Sequence, residues 1–230
     1  MREFYGFYSN GTYKVGLSGT VWVYDMEDRL LGRFTETPYS YLGAFVPGTD
    51  RFVCHTNECH LVVYDLAEMQ RLKKIKTSRF GADDNGGMAF STDGKRLYCV
   101  QAHRKLEGIC RLVVYDTESF EVLGEYLDEQ NLLIHEVEID SDGTCYLLCS
   151  GERDPEKGWF ERDFVGIFRD GEIVEKRAYQ ESWLDVSIYF CWKRTGFTKK
   201  AAEWTVGDDL DPALRAKPSS LKKLFETGRL

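Results

Sequence analysis

The chain has 230 residues, with 38 acidic against 30 basic side chains and a formal net charge of −8, and neither a basic arm nor a sustained Lys/Arg stripe, which speaks against nucleic acid or an anionic membrane as the main partner. A hydrophobic fraction of 43% and an aromatic fraction of 14% belong to a folded chain with a proper core, not to a disordered one. No uncharged apolar run approaches the length needed to cross a bilayer.

The opening stretch MREFYGFYSNGTYK has no apolar h-region and no small-residue cleavage site, so no signal peptide is expected. The seven cysteines are odd in number and form no disulfide framework, which gives the expectation of a cytoplasmic protein with reduced thiols. Phe4 to Ser9, the Asn10-Gly11 turn and Thr12 to Ser18 read as strand, turn, strand. TVWVYDMEDRLLGRFTE follows from Thr20 as an apolar run ending in an aromatic residue, a polar turn and a second alternating run. YLGAFVPGTDRFVCHT from Tyr41 and HLVVYDLAEMQRLKKIKT from His60 restate that sequence of elements. GGMAFSTDGKRLYCVQ from Gly86 and RLVVYDTESFEVLGEYLD from Arg111 restate it again. IHEVEIDSDGTCYLLCS from Ile134 and a weaker FVGIFRDGEIVEKRAYQ from Phe164 make a fourth copy. The Pro47-Gly48, Asp93-Gly94 and Asp142-Gly143 turns suit reversals because they preset φ or tolerate positive φ.

Units of about four strands at a period of roughly 40 to 53 residues have the spacing of propeller blades. The motifs RLVVYDTESFEVLGEY and MAFSTDGKRLYCV resemble blades of WD40-like or YVTN-type β-propellers, over about residues 3 to 180, although no Gly-His…Trp-Asp signature stands in any unit. The expected fold is all-β: a β-propeller-like array of about four to five four-stranded blades, with a short helical C-terminal tail. WLDVSIYFCW (183–192), read as a buried strand, and KKAAEWTV (199–206) would supply a fifth blade. Four units lie at the lower end of blade numbers, so a closed small ring, an open array and a homo-oligomer completing the propeller all stand open. The propeller-like domain is expected over 1–206 and the tail over 207–230. In the tail, Asp211 before Pro212 and Ser219 or Ser220 suit helix starts, Gly228 suits a stop, and Leu221, Leu224 and Phe225 form an i, i+3, i+4 stripe. Its expected role is docking on its own array, with a partner-binding helix or a ring plug as the other reading.

Cys54-His55-Thr56-Asn57-Glu58-Cys59-His60 puts two cysteines and two histidines into seven positions. With Asn57-Glu58 as a two-residue turn, His55 pairs with His60, and both cysteines take the opposite face. Four ligands divided across two faces cannot make one tetrahedral zinc site; a three-residue loop would instead bring Cys54 and His60 to one face. A hairpin without metal is expected. The Asp140-Ser141-Asp142-Gly143 stretch lacks the distal glutamate of a calcium loop and reads as a turn. Glu136 and Glu138 alternate with Val137 and Ile139 and are expected to line a surface or the central channel.

No nucleophile elbow, phosphate-binding loop or His-Glu-x-x-His motif occurs, so no catalytic residue, metal or cofactor is assigned. Recognition is expected on long loops. GERDPEKGWFERDF (151–164) carries Trp159, Phe160 and Arg162 within a charged rim, the residue types of binding hot spots; the other reading has Trp159 and Phe160 opening a strand and packing inward. AHRKLEG (102–108) adds Arg104 and Lys105. The expected function is a non-catalytic binding or scaffold module that takes a protein partner through these loops and one face. The alternative is a propeller-type hydrolase, lactonase or ligand sensor using acidic residues at the channel.

Overall fold

The computed structural model describes residues 4, 6–36, 39–82, 86–106, 108–128, 132–151, 156, 163–182, 185–186, 189–190, 193 and 219–230, with Tyr41 as backbone alone. The described strands form four antiparallel up-and-down paths. The first sheet runs β1 (Gly6–Ser9), β2 (Lys14–Leu17), β3 (Val21–Tyr24), β4 (Leu30–Phe34). The second runs β5 (Ser40–Phe45), β6 (Arg51–Thr56), β7 (His60–Asp65), β8 (Gln70–Lys76). A two-residue β9 (Phe80–Gly81) follows in sequence. The third path is β10 (Met88–Phe90), β11 (Arg96–His103), β12 (Cys110–Asp116), β13 (Val122–Tyr126). The fourth is β14 (Leu133–Ile139), β15 (Cys145–Ser150), β16 (Phe164–Arg169), β17 (Glu172–Ala178).

Local chemistry makes the reversals. Asn10 accepts hydrogen bonds from the N–H groups of Thr12 and Tyr13 at 2.9 and 2.8 Å, an Asx turn with Gly11 at φ 89°. Gly94 and Gly143 take φ 69° and 85° and donate back to Ser91 and Asp140 carbonyls at 2.8 Å, so the expected Asp-Gly turns form. Asp170 and Gly171, both at positive φ, close the tight β16–β17 hairpin. Strand middles β7, β12 and β15 are buried on both faces, while β8 and β17 are mostly exposed and charged. Charged outer strands of this kind discourage edge-to-edge pairing.

The chain divides into two compact units, one holding the first two sheets and the other the last two. In the first, Val15, Leu17, Val23, Phe52, Val62 and Tyr64 form the core, with Phe34 stacked on Tyr64 at 4.1 Å. Tyr8 lies over Gly6, where a Cβ would sit 2.6 Å from its hydroxyl, and that hydroxyl accepts the Gly43 N–H of β5 at 3.2 Å. In the second, Leu112, Ile134, Val137, Leu147, Phe164 and Phe168 make the core. Each such side chain contributes about 1.5–3 kcal/mol when fully buried.

The expected strand over 183–192 is corrected. Its described residues Asp185, Val186, Tyr189 and Phe190 are helical. Ser182 caps this turn: its hydroxyl accepts the Asp185 N–H at 3.2 Å, and its carbonyl accepts that of Val186. Val186, Tyr189 and Phe190 are buried at i, i+3, i+4, a helical period that the β-rich aromatic composition conceals. KKAAEWTV, Asp211 and Pro212 lie outside the described residues. The final helix, Leu221–Thr227, starts at Ser220, which accepts the Lys223 N–H at 3.0 Å, and stops at Gly228 with φ 69°. Leu221, Leu224 and Phe225 are buried, and the helix packs on β15 and β16, so the tail docks on the sheet preceding it. No helix among the described residues is long and apolar enough to cross a membrane.

Candidate functional site

The Cys/His stretch is a hairpin, but its turn has three residues, not two. Thr56 pairs with His60, His55 with Leu61 and Cys54 with Val62, and Cys59 sits in the turn at φ 62°. This register places Cys54 and His60 on one face and His55 on the other. Burial pushes the Cys54 thiol up to about 12 and, with the charge of Lys74, holds His60 below its ordinary value. Cys99 and Cys145 are likewise pushed up to about 12 by burial, and Cys149 well above the usual thiol value. Thiols in that state are poor nucleophiles and poor metal ligands at neutral pH. No group of three or more His, Cys, Asp or Glu among the described residues is placed to hold a metal ion.

Of the loop residues singled out for recognition, Trp159, Phe160 and Arg162 lie outside the described residues. Arg104 and Lys105 are exposed on the β11–β12 loop. His103 shapes that loop: its Nδ1 accepts the N–H groups of Lys105 and Leu106 at 3.2 and 2.9 Å.

Glu136, Glu138 and the following Asp140 each make a contact within their own unit. Glu136 is 5% exposed and accepts the Val137 N–H. Glu138 accepts the Leu221 N–H at 2.6 Å, and Asp140 pairs with Lys222 at 2.6 Å. A carboxylate beside a helix N-terminus meets its unpaired N–H groups and the positive end of its dipole. Glu138 therefore anchors the last helix, a role set by residues 83 positions away that strand alternation cannot reveal.

Two polar networks escape sequence reading. His135 and Ser150, both buried, meet at 2.6 Å between Nε2 and Oγ, and burial pushes His135 down to about 4. The Asp163 carboxyl is raised by burial, with the Ser150 hydroxyl acting the other way, and which of His135 and Ser150 donates depends on the imidazole tautomer. In the third sheet, Arg111 donates from Nε to the Gln101 carbonyl oxygen at 3.0 Å and from Nη1 to Glu125 at 2.7 Å, and Gln101 donates to the Tyr115 hydroxyl at 2.8 Å. This network satisfies a buried guanidinium.

Open, unsatisfied chemistry gathers elsewhere in the second unit. A cleft of about 420 Å³ lies between the third and fourth sheets, within the size range of ligand sites. Its apolar lining includes Tyr98, Val114, Tyr126 and Phe168, with Tyr126 edge-on to Phe168 at 5.3 Å between ring centres. Tyr126 lies along the strand over Gly124, and Gly171 leaves room for the same ring, a Cβ there being 3.2 Å away. Arg96 and Arg169, both exposed, stand at the rim with Asp170. Neither guanidinium makes an ion pair among the described residues; Arg96 only helps, after the Ser91 hydroxyl and the Lys95 N–H, to hold Asp93 below its usual range. No family model matches the chain, and no curated protein matches it.

Proposed function

We propose that the chain is a β-propeller-like array, each four-stranded path a blade, acting as a non-catalytic binding module for a protein partner. One observation carries this reading: the cleft of the second unit combines half-buried tyrosine rings with two exposed arginines that make no ion pair among the described residues. Tyrosine and arginine are the residue types that dominate binding hot spots, and an exposed rim guanidinium can take a carboxylate in bidentate fashion. Leu123, 54% exposed at the same cleft, suits replacement by a photocrosslinking amino acid. Irradiation in the cells that make the protein should yield a discrete heterologous adduct, lost when Arg96 and Arg169 are both changed to Glu. An adduct unaffected by that change, or none, overturns the reading.

A second reading, a small-molecule hydrolase or ligand sensor, has the 2.6 Å His135–Ser150 contact in its favour. Covalent labelling by a fluorophosphonate, abolished by Ser150→Ala, would establish it over the first. For a paired array that completes its ring with a second copy, light scattering should give twice the chain mass of 26.6 kDa.

A further inference from the structure

We infer that the cleft takes an extended acidic peptide, one apolar or aromatic side chain entering between the sheets and carboxylates on either side meeting Arg96 and Arg169; this deepens the binding-module reading and rests on it. Charge singles out the ligand. In a chain of net charge −8, cations have carboxylates in excess around them, and Lys14, Arg29, Arg71, Arg111, Arg177 and Lys222 each hold one. Arg96 and Arg169 hold no ion pair among the described residues, as is also true of other exposed cations such as Lys95 and Lys105; what sets these two apart is that both border the same cleft.

The floor selects the second element of the ligand. Tyr98, Val114, Tyr126 and Leu123 come from three neighbouring strands of one sheet, so their side chains together line one wall of the cleft and not a single point of it. Leu123 and Val122 are 54% and 48% exposed, at the place where the β12–β13 register shifts. A bulge at an edge strand re-aims side chains and leaves backbone groups unpaired, which suits a ligand in extended conformation. The volume of about 420 Å³ accommodates two or three side chains and no folded element. Asp170, on the β16–β17 turn, offers an acceptor for a ligand N–H and works against a purely polyanionic guest, so carboxylates must alternate with apolar residues.

The test is selection of a random nonapeptide display library on the immobilised full chain. Enriched peptides should carry net negative charge with a central aromatic or aliphatic residue. Their synthetic, fluorescein-labelled forms should lose at least tenfold in affinity for the Arg96→Glu/Arg169→Glu variant and for Leu123→Glu, and should weaken steeply with salt. All three side chains are exposed, so melting temperature should stay unchanged, which separates lost binding from lost folding. Enriched peptides that are basic or uncharged, or that bind all variants equally, overturn the acidic-peptide assignment and leave the binding-module reading standing. If nothing is enriched over a blank surface while the Leu123 crosslink still forms, the ligand is not a linear peptide; if both fail, the binding-module reading falls as well.

Discussion

The first and fourth sheets each turn one face away from the core of their unit, and they finish that face differently. On the first, Phe4, Phe7 and Tyr24 cluster with ring centres 5.9 to 6.5 Å apart, Phe4 lies over Gly16, and Arg33 sits above Trp22. Phe4, Phe7 and Tyr24 remain half-buried. On the fourth, Tyr146 meets Phe225 edge-on at 5.7 Å, Arg177 covers that ring at 4.5 Å, and Leu221 and Leu224 complete a sealed layer. The chemistry is the same, aromatic rings under arginine. The difference is a seven-residue helix that converts a half-wet face into a second core, and such a helix is too short to persist without that packing.

The largest expected effect follows from this contrast. Phe225→Ala should cost about 3–4 kcal/mol, read by denaturant unfolding, and should release the last helix to rapid amide exchange. Phe7→Ala, on the half-buried face, should cost about 1 kcal/mol. Equal costs would mean that the two faces are equally sealed.

Titration sharpens the comparison. His135, held neutral in the fold down to about pH 4, binds its proton near pH 6.5 once unfolded. Its folded value is depressed, so the unfolded state takes up the proton first. Stability should therefore be fully present above about pH 6.5 and fall by about 3 kcal/mol as the pH drops towards 4. His135→Gln, which keeps a partner for Ser150, should flatten that slope in thermal melts. His60→Gln in the first unit should change it less, because His60 is only partly buried. An unchanged slope in His135→Gln would show that this histidine is not the source.

The smallest effect belongs to the hairpin. Cys59 holds φ 62° without being glycine, a conformation that asparagine accepts more readily. Cys59→Asn should be neutral to stabilising by about 0.5 kcal/mol in chemical denaturation, and a loss above about 2 kcal/mol would show that the thiol packing outweighs the backbone strain.

What the sequence discloses is local. Asn10-Gly11, Asp93-Gly94 and Asp142-Gly143 announce their reversals because the turn chemistry lies within four residues. Ser220 and Gly228 bracket the last helix for the same reason. The two-residue turn at Asn57-Glu58 fails by one position, because the choice of Cys59 as the left-handed residue depends on cross-strand register. The helical residues 185, 186, 189 and 190 hide behind aromatic residues that favour strands. The cleft is less legible still. Arg96 and Arg169 are 73 positions apart in number and become neighbours of one cavity only through the packing of two sheets.

Tyr8 over Gly6 and Tyr126 over Gly124 have a consequence for how this chain can drift. Each ring occupies the volume that a methyl group at its glycine would need, so neither position can change first without a clash or a void. Such couples behave as single heritable characters. Among diverging copies of this chain, Gly124 should give way only where residue 126 has already lost its ring, and Gly6 only where residue 8 has done so.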